Sequence, residues 1–193
     1  MATHLAFLRA INLGRNRKFP KADILRVVGE AGFTEAETHI NTGNVRLNTS
    51  MRSIRRIEEA LERAFLADRG FEVPTIVFRP SEFAEIARVG AEVAAGNEGM
   101  TRHYVELLRD GMPPADARAA EALSSGDNRI VARGRAIHVL LGPDAGCRRA
   151  EDRDLHQPQL QRGQDHRPQV VLTGRMPGRR AHSSSWRWRT TMR

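Results

Sequence analysis

Between residues 4 and 78 the apolar positions change period in a set order, and that order leaves few folds open. Residues 4–11 are apolar on both alternating faces, as a strand covered on both sides requires. A polar loop spans residues 12–19. Pro20 then opens a helix whose apolar set is Ile24, Leu25, Val28 and Ala31, and Gly32 closes it. Residues 37–40 and 45–48 read as short strands joined by Asn41-Thr42-Gly43-Asn44, where glycine supplies a positive φ. Ile54, Ile57, Leu61, Ala64 and Phe65 recur at helical spacing over residues 52–68, and Gly70 stops that helix. Its Glu58, Glu59 and Glu62 alternate with Arg55, Arg56 and Arg63, which reads as a solvated face with Glu59 and Arg63 paired. Residues 73–78 are rich in β-branched side chains and contain Pro74, which a sheet tolerates on an edge strand. Strand, helix, strand, strand, helix, strand is the split βαβ, or ferredoxin-like, order, whose fourth strand lies on an edge.

The order then begins again. After a helical linker over residues 80–100, residues 103–109 read as a strand. Pro113 and Pro114 open a helix at 115–123, and 130–132 with 136–141 form a hairpin about Gly134. The helix and strand that would complete this second set fall where the composition changes. The expected architecture is therefore α+β, with two ferredoxin-like halves, the second incomplete. Residues 1–79 make the first half, 80–100 the linker, 101–142 the partial second half, and 143–193 a disordered tail. The repeat is one of element order, since the residues themselves are not alike. Such a truncated sheet is expected to leave one edge unpaired.

Charge marks the same boundary. Residues 1–142 hold twenty Lys and Arg against eighteen acids, whereas residues 143–193 hold eleven Arg against five acids. All five glutamines and both tryptophans lie after residue 142, and every Ile and Phe lies before it. A tail of this kind is what a GC-rich gene yields out of frame. We read a frame change near residues 146–149 in preference to a functional basic tail, because such composition fixes no role. The single cysteine, Cys147, excludes an intramolecular disulfide and a multi-cysteine zinc site. No run of eighteen apolar residues exists, and the apolar start is cut by Arg9, so a soluble cytoplasmic protein without a membrane partner is expected.

Two segments carry a family resemblance. Leu8-Arg9-Ala10-Ile11-Asn12-Leu13-Gly14, running on to Lys18-Phe19-Pro20, resembles the opening of the domain-of-unknown-function 1697 (DUF1697) family. His39-Ile40-Asn41-Thr42-Gly43-Asn44-Val45 resembles that family's strand, Ser-Gly-Asn, strand segment, with Thr42 in place of Ser. The likeness covers residues 3–142 and implies two ferredoxin-like halves but no activity. Family members continue with Gly-Arg-Ser-Lys-Leu, where this chain has Gly146-Cys147-Arg148-Arg149.

The split βαβ order also says where chemistry would sit. Its first two strands run parallel and end on one edge, where the third strand begins. The loop 12–19 and the turn 41–44 should therefore meet. Together they offer Arg9, Arg15, Arg17 and Lys18 as cations and Asn12, Asn41, Thr42 and Asn44 as polar side chains. Gly14 and Gly43 allow close backbone approach, and the helix opened by Pro20 turns its positive end to the same place. An anion, phosphate or carboxylate, is the ligand this physics favours. Turn chemistry and a structural ion pair are the competing account of the same residues.

Catalytic constellations are mostly missing. His4, His39, His103 and His138 fall on strands without paired spacing and read as half-buried packing residues, and no metal site or cofactor is expected. The reading is thus a non-catalytic binding module for a small anionic or phosphate-bearing ligand, a nucleotide included. The alternatives are an enzyme acting on a small anion at the same edge, with His39 as its one candidate base, and a protein-interaction module. Nucleic acid is disfavoured as a partner, because the first strand has Phe7 alone and residues 45–48 no aromatic. The sequence fixes neither catalytic residues nor oligomeric state.

Overall fold

The computed structural model describes residues 1–13, 17–39, 43–143 and 145, with the backbone of two further strands at 169–175 and 189–191. The chain divides into two units, one built on Met1–Arg88 and the other beginning at Val89. The first contains β1 (Ala2–Leu8), α1 (Lys21–Glu30), β2 (Thr34–His39), β3 (Asn44–Thr49), α2 (Ile54–Arg69) and β4 (Thr75–Phe78). Its sheet runs β2-β3-β1-β4 with antiparallel neighbours throughout, the strand order of a split βαβ arrangement in an α+β protein. β4 follows Pro74 and is an edge strand, so the missing proline N–H costs no ladder bond.

β1 is buried on both faces. Ala6 and Leu8 join Val45, Leu47, the α1 residues Ile24 and Val28, and the α2 residues Ile57, Leu61 and Phe65 in one core. On the other face Phe7 meets Phe78 edge-on at 5.9 Å and Phe83 at 5.1 Å between ring centroids. The apolar run continues to Ile11, but the strand stops at Leu8. Ala10 and Asn12 adopt φ of 54° and 56°, a left-handed backbone that no ladder accommodates.

The glutamates of α2 do not all lie on a solvated face. Glu58 is 2% exposed and accepts the Val77 N–H at 2.9 Å, and Glu62 accepts the Thr75 N–H at 2.9 Å. One helical turn apart, the two carboxylates take up outward-facing donors of edge strand β4 and so block pairing with another chain. Glu59 is bonded to Arg55 at 3.3 Å, one turn behind it and not ahead.

The helix α3 (Pro80–Ala95) carries the boundary between the units. Then follow β5 (Arg102–Leu108), α4 (Pro114–Glu121), β6 (Asn128–Arg133), β7 (Ala136–Leu141), β8 (Gln169–Arg175) and β9 (Arg189–Thr191). The second sheet runs β6-β7-β5-β8-β9, so β6, β7 and β5 repeat the relation of β2, β3 and β1. The expected unpaired edge of β5 is corrected here, since β8 lies beside it. The remainder of the tail, on which the expectation of disorder rests, lies outside the described residues. Edge strand β6 is closed like β4, by Glu121 accepting from the Ala132 N–H at 3.0 Å and the Ser124 hydroxyl from the Ile130 N–H at 3.0 Å.

Three of the strand histidines are buried more deeply than half. His4, His103 and His138 are at most 2% exposed. The rings of His103 and His138 share a hydrogen bond between Nε2 and Nδ1 at 3.1 Å. Gly90 of α3 lies over the pair, where a Cβ would come within 3.2 Å of His138 Cε1. Burial lowers the pKa of each to about 4, with the neighbouring ring and Arg133 acting further on His138.

Candidate functional site

The two remote segments do meet. β1 and β3 pair with Phe7 opposite Asn44, and the Leu8 N–H donates to the Gly43 carbonyl at 2.9 Å. Gly43 has φ of 79°, and a Cβ on it would stand 2.7 Å from Ile11 Cδ1 and 3.1 Å from Leu8 Cβ. Both its backbone angle and the space around it therefore demand glycine.

Asn12 closes the neighbouring loop. Its Oδ1 accepts from the Phe19 N–H at 2.9 Å, its Nδ2 donates to the Phe19 carbonyl at 3.4 Å, and its own N–H reaches the Arg17 carbonyl at 2.6 Å. Phe19 is fully buried, edge-on to Phe65 at 5.3 Å, with the Arg69 guanidinium over its ring. The loop is thus anchored in the core at Ile11 and at Phe19.

Between these anchors lies a cleft of about 410 Å³ lined by Asn12, Phe19, Pro20, Lys21, Thr38 and Gly43, with Ile24 at its base. α1 begins there. Pro20 is its N-cap and offers no side-chain acceptor, so the first-turn N–H groups are uncapped by any side chain. Lys21 is exposed at the first helical position. The one acid of that turn, Asp23, is bonded to Arg69 at 3.1 Å. Across the cleft the Thr38 hydroxyl is buried without a hydrogen-bond partner.

The residues singled out by sequence divide. Asn12 and Gly43 line the cleft, and Lys18 is exposed next to it in sequence. Asn44 lies at the start of β3, opposite His39 at the end of β2. Arg9 is half-buried past the end of β1, its N–H on the Pro74 carbonyl at 2.8 Å. Arg17 is engaged elsewhere, stacked 4.9 Å from the Phe71 centroid and bonded to the Glu72 carbonyl. Gly14, Arg15, Asn41 and Thr42 lie outside the described residues. Lys21 and Thr38 were not legible as site residues. Only the position of Lys21 directly after a helix-opening proline pointed to it.

Among the described residues no group of three or more His, Cys, Asp or Glu stands ready to hold a metal ion. Among the same residues no helix is long and apolar enough to cross a membrane. Phe7 is buried beneath Phe83 and presents no stacking platform on the sheet.

A family model described as "Protein of unknown function (DUF1697)" matches residues 1–138. The structure is similar to that of a conserved bacterial protein from Streptococcus pneumoniae, with a TM-score of 0.56 at 20% identity over 74% of this chain and 77% of that one. At that identity the likeness concerns the fold. No curated protein matches the chain.

Proposed function

The chain belongs to the DUF1697 family, and from the geometry of its first unit we propose that this unit is a ferredoxin-like binding module for a small phosphate-bearing or carboxylate ligand at the cleft between loop 12–19 and Gly43. The observation that carries the reading is the start of α1. Its N–H groups open uncapped onto a cleft whose one charged lining residue among those described is Lys21. A helix end of this kind carries about half a positive charge and presents donors to an oxyanion. The Thr38 hydroxyl adds a donor from the facing strand.

Asn12 acts here as a bracket, because the Phe19 backbone uses its acceptor and its donor. Lys18 raises the local potential without touching the ligand. The described lining supplies donors, the Lys21 ammonium and the Thr38 hydroxyl among them, which supports an anionic ligand.

A thermal-shift series with inorganic phosphate at constant ionic strength tests this. At a ligand concentration one hundred times Kd the apparent stability rises by about 2.7 kcal/mol. The part of the rise due to this cleft is expected to be lost in Lys18→Ala/Lys21→Ala, both exposed, so that the variant shifts less than the wild type. An equal rise in wild type and variant, or none in either, overturns the proposal.

A further inference from the structure

A second cleft, of about 550 Å³, lies at the opposite end of β1, where β3 finishes and α2 begins. His4, Thr49, Ser50, Arg52 and Arg79 line it together with apolar residues. Its charge is one-sided. No carboxylate lines it among the described residues, and neither Arg52 nor Arg79 forms an ion pair with one of them. Instead an Nη2 hydrogen of Arg79 goes to the Arg52 carbonyl at 3.3 Å, which holds Arg79 across the entrance of α2. That helix adds its positive end. Ser53 accepts only from the Arg56 N–H, so the N–H groups of Ile54 and Arg55 have no intrahelical partner. The first turn contains no acid and two arginines, the reverse of what a helix start favours. Arg55 is balanced by Glu59, whereas Arg56 has no such partner among the described residues.

His4 points independently to a ligand. It is 2% exposed, yet its ring lines this cleft. Its Nδ1 faces the Ala2 carbonyl at 3.1 Å, so Nδ1 carries the proton and donates it. That tautomer leaves Nε2 as an acceptor, and it has no hydrogen-bond partner among the described residues. Burial, offset in part by the hydrogen bond to the Ala2 carbonyl and aided by the charge of Arg79, holds the His4 pKa below its ordinary value. The ring therefore stays neutral, an acceptor set among cations. A ligand complementary to this cleft must present negative oxygens and an O–H together.

We propose that the cleft binds inorganic phosphate, with its charged oxygens taken by Arg52, Arg79 and the first N–H groups of α2 and its O–H donated to Nε2 of His4. Hydrogen phosphate meets both demands at neutral pH. Sulfate has the charge but no proton to give.

The test is an NMR titration of the full chain at pH 7.5 and constant ionic strength, with inorganic phosphate and with sulfate. It reads the His4 Cε1–H resonance and the amides of Arg52 and Ile54. Saturable shifts with phosphate are expected, with sulfate binding about tenfold more weakly, the loss of one good hydrogen bond. Arg52→Gln/Arg79→Gln removes two exposed charges and is expected to weaken phosphate by about tenfold or more at these resonances. Shifts at Lys21 and Gly43 report the other cleft and are expected to be unaffected by this variant. Shifts that never saturate, an unchanged Kd in the double variant, or sulfate binding as tightly as phosphate each overturn the proposal.

Discussion

The buried pair His103 and His138 makes the second unit sensitive to mild acid. Each imidazole titrates at about 4 in the folded chain, against 6.5 when solvated. A depressed folded value means that the unfolded chain binds more protons. The stabilisation is then complete above 6.5 and lost as pH falls from 6.5 towards 4. Between pH 7.5 and pH 5 one such group loses about 2 kcal/mol, and the two together about 4 kcal/mol. Protonation of one ring further opposes that of the other, which keeps the folded pair neutral over this interval. For a chain of this size the loss lowers Tm by roughly 10 °C. Differential scanning calorimetry at the two pH values measures the fall. His103→Leu/His138→Leu, which conserves apolar volume in the core, is expected to lose most of it. Equal falls in wild type and variant would refute the reasoning. So would imidazole resonances of His103 and His138 that titrate near 6.5 in the native protein.

Other consequences follow from single contacts. Gly43→Ala forces a Cβ into a left-handed position 2.7 Å from Ile11 Cδ1 and is expected to cost about 1–3 kcal/mol, read from urea melts. Glu58→Ala strands the Val77 N–H on the edge of the first sheet, at a cost of about 1–3 kcal/mol and with faster amide exchange at Val77. Asn12→Ala removes the bracket across the loop. It is expected to weaken phosphate binding at the α1 cleft by about tenfold, which calorimetric titration measures, because a site held loosely loses its geometry.

The first sheet was legible because its signals were redundant. Pro74 and the element order independently assigned β4 to an edge, and Gly43, Gly70 and Gly134 each take the positive φ their turns require. The end of β1 was not legible, because nothing in an apolar run announces the left-handed backbone at Ala10. Polar roles were the hardest to read. Glu58 and Glu62 look like surface charge in sequence and act as edge caps, since helix periodicity does not say which strand lies beneath. The His103–His138 contact crosses from β5 to β7, and strand register, which sequence spacing leaves open, decides it. The approach of the segment around Asn12 to Gly43 was legible from the element order, whereas the contacts made by the side chains there were not. Arg17 turned to Phe71, and Asn12 to the Phe19 backbone. Lys21 and the buried Thr38 hydroxyl took their places at the cleft.

Amide mapping of the first unit during a phosphate titration tests the central claim most directly. The account predicts that Lys21, Ala22 and Gly43 shift together with one Kd, and that Lys21→Ala weakens that Kd without changing Tm. Amides around α1 that stay fixed while phosphate reaches millimolar levels would contradict it.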